Sequence, residues 1–185
     1  MSEEDKQLIE RLAKGESAAA EEIVRTYGDR LLRSAYLLSG HRTDAHDLVQ
    51  EVFVQAVRSA ARFKGTASIF TWLYGILLNI TRHYLRKRSV QKKLFTQRIL
   101  KDEIPQDPDG RGPDTKWAAA VLTYAIHQLS DEHREVIVLR FFDGLKIEQI
   151  VDYLGVTEGT IKSRLHYGLK RLKTILPSDL NLFEM

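Results

Sequence analysis

The 185-residue chain has no cysteine, which excludes disulfides and thiolate metal sites and fits a reducing compartment. Its four prolines include three within Ile104 to Asp114 (IPQDPDGRGPD), so helix breakers are nearly absent elsewhere. Strand-like alternation is missing, and the longest apolar run, around Ile76 to Leu78, is far too short to cross a bilayer. The opening residues are charged and polar, so the expectation is no secretory leader, no membrane insertion and a cytoplasmic protein. GxxxxGK[ST], GxGxxG and HExxH are absent, and with no cysteine nucleophile the expectation is a protein that is not an enzyme and needs no cofactor. His41, Asp44, His46 and Asp47 lie close in sequence, but their spacing suits no common metal site.

Charge of one sign is scarce in places. The first 22 residues carry seven acids against three bases, whereas Arg82 to Lys101 carries eight Lys or Arg and no acid. The net charge of +3 therefore hides blocks that fit a polyanion on one side and a basic partner on the other. With 43% hydrophobic residues the chain can bury one sizeable core or two small ones.

Helical periodicity runs from about Glu4 to Arg88, broken near Gly15, Gly40 and Gly65, and resumes from about Thr115. The proline-rich acidic stretch between these blocks cannot bury enough apolar surface to fold. The expected architecture is all-α: a helical domain over 1–88, a flexible linker over 89–114 and a second helical domain over 115–185.

The segment Leu145 to Lys173 reads as two helices joined by a tight turn. Ile147, Ile150, Val151 and Leu154 form an apolar stripe, Gly155 suits a left-handed C-cap and Thr157 an N-cap. In the second helix Ile161, Leu165, Leu169 and Leu172 face inward, leaving Glu158, Lys162, Ser163, His166 and Tyr167 outward. Five Lys or Arg against one acid from Val156 to Lys173 set this apart from an ordinary solvated hairpin, and the pattern matches a helix-turn-helix that enters a DNA groove.

In the first block, Asp44 to Val57 (DAHDLVQEVFVQAV) places Leu48/Val49, Val52/Phe53 and Ala56/Val57 on a wide buried stripe, with Asp44, Asp47, Gln50, Glu51 and Gln55 outside. That face is acidic and reads either as a solvated surface or as a docking face for a basic protein. Arg62 to Gly65 (RFKG), Ser68 to Tyr74 (SIFTWLY) and the basic TRHYLRKR follow, and aromatics interleaved with cations suit melted or single-stranded DNA. Leu73, Ile76, Leu77 and Ile80 share a helical face and read as core, whereas Phe63, in a turn beside Gly65, is the stacking candidate.

These residues resemble the extracytoplasmic-function sigma factors, the smallest group of bacterial sigma-70-type initiation factors. DAHDLVQEVF, RFKG, TWLY and GTIKSRLH look like that family's recurrent signatures in order and spacing, across nearly the whole chain. The resemblance implies promoter-specific initiation with bacterial core RNA polymerase in a stress or envelope response. Its partners would be the polymerase, promoter DNA (duplex at −35, melted at −10) and an anti-sigma factor. It would assign Asp44, Asp47, Gln50 and Glu51 to polymerase docking. Phe63, Lys64, Thr71, Trp72, Tyr74, Asn79, Arg82, His83 and Arg86 would bind the −10 element, where capturing a flipped base costs a few kcal/mol of unstacking. Thr157, Glu158, Thr160, Lys162, Ser163, Arg164, His166, Tyr167 and Lys170 would bind the −35 duplex.

There are departures from the family pattern. The family often has Asp at the position of His83, Ala at Val151, and Arg then Ala at Tyr167 and Gly168. A phenol in place of a guanidinium removes a bidentate contact, so the usual −35 sequence does not carry over. The competing reading is a stand-alone helix-turn-helix regulator. That reading leaves the acidic helix and the aromatic-basic segment unexplained, and it predicts tight duplex binding without polymerase.

Overall fold

The computed structural model describes residues 1–94 and 115–177, with side chains over 1–87 and 117–177. Every regular element among the described residues is helical, and the chain divides into two compact units, Met1–Thr96 and Gln97–Met185. Of the expected linker, residues 89–94 continue a helix, while 95–114 lie outside the described residues.

The first unit contains α1 (Glu3–Ala13), α2 (Ser17–Ser39), α3 (Arg42–Ser59), a 3-10 turn (Ala60–Arg62) and α4 (Ile69–Leu94). Part of the N-terminal acidity has a local cause. Ser2 Oγ accepts from Asp5 N at 3.0 Å, the Asp5 carboxylate accepts from Ser2 N at 3.2 Å, and Glu3, Glu4 and Asp5 complement the positive end of the α1 dipole. Leu31 and Ala35 of α2, Leu48 and Val52 of α3, and Ile69, Leu73 and Leu77 of α4 close the core. Truncating one of these leucines to alanine would cost about 2–5 kcal/mol, because the cavity adds to the lost transfer energy.

The buried face of α4 is rotated from the one read in the sequence. It runs through Phe70, Leu73, Tyr74, Leu77, Leu78 and Thr81, whereas Ile76 and Ile80 are only half-buried. The 3.6-residue period centres the stripe between 73/74 and 77/78, which takes Tyr74 inside. Thr81 is carried in as well, and its buried hydroxyl has no hydrogen-bond partner among the described residues.

The second unit contains α5 (Thr115–His127), α6 (Asp131–Ile137) continued by a π-helical turn (Val138–Phe142), α7 (Ile147–Leu154) and α8 (Glu158–Ile175). Val121, Ala125 and Ile126 pack with Val136, Ile137, Leu139, Ile150, Ile161 and Leu172 in its core. Arg134 is buried to 9% exposure and ties the unit together. Its guanidinium donates to the carbonyls of His127 (2.9 Å) and Leu129 (2.9 Å) and adds a second donor at 3.2 Å to that of Ile126, which Leu129 N already reaches at 3.1 Å, so it closes the end of α5.

The turn between α7 and α8 has the local chemistry expected of it. Gly155 takes φ +64°, a left-handed conformation costly for other residues, and its N–H donates to Val151 O at 2.8 Å. Thr157 then caps α8 by accepting from Thr160 N at 3.3 Å. Gly168 serves a different need: a Cβ there would lie 3.2 Å from Ile137 Cγ1 and 3.5 Å from His133 Cβ, so its absence lets α8 lie close on α6.

Candidate docking and nucleic-acid interfaces

Helix α3 buries Ala45, Leu48, Val49, Val52 and Ala56, which turns Asp47 and Gln50 to solvent and leaves Glu51 half-buried. Gln55 Nε2 donates to Glu51 Oε1 at 2.8 Å, so one carboxylate of this face is held in place by its own helix. The outward face is not purely acidic. Val54 is 42% exposed and Val57 45%, four and seven residues beyond Gln50 on the same side. The sequence reading placed Val57 in the buried stripe and overlooked Val54. Six apolar residues among nine, from Val49 to Val57, were the signal that one face could not hold them all.

Asp44 stands apart from this face. The Tyr84 hydroxyl donates to Asp44 Oδ2, joining the start of α3 to α4, and Asp44 is half-buried. In the fold it ties the start of α3 to α4, and its half-burial differs from the outward position read for it in the sequence.

The turn after α3 places Phe63 by a hydrogen bond from its N–H to Ala60 O at 3.1 Å. Its ring stacks on Trp72 with centroids 4.7 Å apart and planes 22° apart, and both residues are half-buried. Phe63 and Trp72 thus form one aromatic platform, with Lys64 exposed beside it. Ser68 orders the start of α4: its hydroxyl accepts from Thr71 N at 3.1 Å and donates to Thr71 Oγ1 at 2.8 Å. Met1 lies against Gly65, where an added Cβ would come within 2.7 Å of the Met1 methyl carbon, a contact the sequence did not signal.

Tyr74 does not belong to this surface. It is fully buried, with its ring 5.5 Å from that of Phe70, while the Arg30 guanidinium lies 3.6 Å over the Phe70 ring. Tyr74 therefore supports α4 from within, correcting its reading as a DNA contact. Farther along α4, Asn79, His83 and Arg86 are exposed and Arg82 is half-buried, at positions i, i+4, i+7 and i+3 on one side of the helix.

On α8 the outward side chains are largely engaged with one another. Lys162 Nζ pairs with Glu158 Oε1 at 2.6 Å, and the hydrogen bond to that carboxylate raises the Lys162 pKa above its ordinary value. The hydroxyls of Thr157 and Thr160 lie 2.9 Å apart, and that of Ser163 donates to Thr160 O at 3.0 Å. Arg164 reaches back to α6, its Nη2 3.1 Å from Glu132 Oε2, with a side chain only 20% exposed. His166, Tyr167 and Lys170 are exposed, and the His166 and Tyr167 rings meet edge to face at 5.3 Å. Among the described residues no His, Asp and Glu side chains gather in the threes a metal site requires, and no helix is long and apolar enough to cross a membrane.

Two family models match the chain, one on each unit: Sigma-70 region 2 over residues 23–90, and Sigma-70, region 4 over residues 125–174. The ECF RNA polymerase sigma factor SigW of Bacillus subtilis is 30% identical over 176 residues, covering 91% of this chain and 94% of that protein. The ECF RNA polymerase sigma factor SigE of Mycolicibacterium smegmatis is 34% identical over 176 residues, which cover 89% of this chain but only 65% of that longer relative. Among solved structures, the sigma factor RpoE of Bartonella quintana, crystallised with the anti-sigma factor NepR, is similar with a TM-score of 0.69 and 26% identity, over 86% of this chain and 97% of that one.

Proposed function

The chain belongs to the extracytoplasmic-function sigma factors, whose activity is promoter-specific initiation of transcription, and from that premise we propose how its surfaces divide the work. Asp47, Gln50 and Glu51 dock on core RNA polymerase together with Val54 and Val57. Acids flanking exposed apolar side chains suit a protein interface, since the charges steer and the apolar area is removed from water. The Phe63–Trp72 platform with Lys64, and the outward stripe Asn79, Arg82, His83 and Arg86, engage the melted −10 strand, where bases stack on rings while cations hold the backbone. Thr71, held by the Ser68 hydroxyl at the start of α4, lies between them. The N-terminal half of α8 reads the −35 duplex.

The single observation that carries this division is that α3 exposes Val54 and Val57 beside its acids, whereas the one large apolar side chain α8 exposes is the Tyr167 ring, on a helix that carries five Lys or Arg against one acid. The protein works in the cytoplasm beside the polymerase, in a stress or envelope response, and an anti-sigma factor that covers the α3 face would silence it. It acts as an initiation factor, and the chemistry of RNA synthesis falls to the polymerase.

The test is binding of the purified chain to core polymerase and, separately, to duplex DNA. Tight binding to core with weak binding to duplex alone is expected, because polymerase would fix the spacing of two small DNA-binding patches and raise the effective concentration of the second. Nanomolar, sequence-specific duplex binding by the free protein, with no affinity for core, would favour a stand-alone regulator instead.

A further inference from the structure

The hydrogen-bonding groups at the start of α8 are mostly committed within the protein. The Thr157 and Thr160 hydroxyls serve the cap, the Ser163 hydroxyl donates to Thr160 O, Lys162 is neutralised by Glu158, and Arg164 is drawn back to Glu132. Tyr167 differs from all of these. It is 58% exposed, the greatest exposure among the large hydrophobic side chains of the described residues, and it lies in line with Ser163 and Lys170 at i, i+4 and i+7. The edge of the His166 ring meets it at an interplanar angle of 79°, which restricts where the phenol can swing. Its backbone is also fixed, because the next residue, Gly168, is buried against Ile137 and His133 of α6.

We propose that Tyr167 sets the −35 specificity of this protein by laying its ring against the C5-methyl of a thymine in the major groove, with His166 positioning the ring. The inference rests on the assignment of α8 to the −35 duplex and deepens it. The major groove offers one apolar group, the thymine methyl, and an aromatic ring complements it without needing a directed hydrogen bond. A guanidinium at this point would read guanine through two donors, whereas a phenol offers a broad apolar face and a single hydroxyl. Phosphate binding falls to Lys170, Arg171 and Lys173 farther along the same helix, which carry no sequence information.

The experiment begins with a −35 sequence selected from a randomised library by the holoenzyme of the wild-type chain. Each thymine of that sequence is then replaced by deoxyuracil, which removes only the methyl. Affinity of the wild-type holoenzyme should fall about fourfold at one or two adjacent positions, the worth of one buried methyl group. The Tyr167→Ala holoenzyme should show no such loss, and Tyr167→Phe should keep it, since the ring and not the hydroxyl makes the contact. Indifference of the wild type to uracil, equal sensitivity in Tyr167→Ala, or loss of sensitivity in Tyr167→Phe would each overturn the proposal. Failure of the library to yield any −35 preference would instead overturn the assignment of α8 on which the proposal rests.

Discussion

Helices α3 and α8 are both 18 residues long and both present one face outward, yet they expose opposite chemistries. On α3 the exposed centre is apolar, Val54 and Val57, and the charges lie to one side at Asp47 and Glu51. On α8 the charged and hydroxyl side chains pair with one another, and the ring of Tyr167 is exposed beside that of His166. The contrast separates two kinds of recognition. A protein partner supplies apolar surface to be covered, while a duplex supplies phosphates everywhere and apolar groups only at thymine methyls.

The largest effect should come from attacking the α3 side of that contrast. The double reversal Asp47→Lys and Glu51→Lys should cost several kcal/mol in core binding, through like charge at a complementary interface, with helical content unchanged by circular dichroism. Val54→Ser with Val57→Ser should weaken core binding without altering charge, and normal binding by both variants would remove α3 from the interface. On the other unit, Arg134→Met should destabilise by about 3 kcal/mol, since it takes away the donor to the His127 and Leu129 carbonyls. Hydrogen exchange should place the loss of protection in α5 to α8 and leave α1 to α4 unchanged.

Phe63→Ala removes one partner of the Phe63–Trp72 stack and should lower open-complex formation by about 1–3 kcal/mol while sparing closed-complex binding. Permanganate reactivity of promoter thymines reads this, and a premelted bubble template should partly restore the variant. The smallest change is Tyr84→Phe, which severs the link to Asp44 and should cost about 1 kcal/mol in thermal unfolding of the first unit. A larger loss of core affinity than of stability would show that this tie also aims α3 at its partner.

The all-helical class and the turn chemistry at Gly155 and Thr157 were legible in the sequence, because caps and periodicity are local properties. What escaped was the rotation of faces. Tyr74 and Val57 were each assigned to the wrong side, since a shift of about 100° per residue decides whether a side chain enters the core, and that shift is set by the neighbouring helix rather than by the segment itself. Contacts distant in sequence escaped too. Nothing local marks Asp44 as the acceptor for Tyr84, Arg164 as the partner of Glu132, or Arg134 as the residue that closes α5. Gly168 shows only its missing side chain in the sequence, and its reason appears once α6 lies across it.

The central claim, that α3 docks on the polymerase while α8 reads the promoter, is tested most directly by reconstituted transcription from a promoter library with bacterial core RNA polymerase and each variant. The account predicts that the wild-type chain yields transcripts from templates sharing paired −35 and −10 motifs. It further predicts that the Asp47→Lys, Glu51→Lys variant loses output across all of these templates, and that Tyr167→Ala keeps output but changes the −35 motif. If the α3 variant changed the selected motif, or if the Tyr167 variant lost output with its motif unchanged, the division of labour between the two helices would be contradicted.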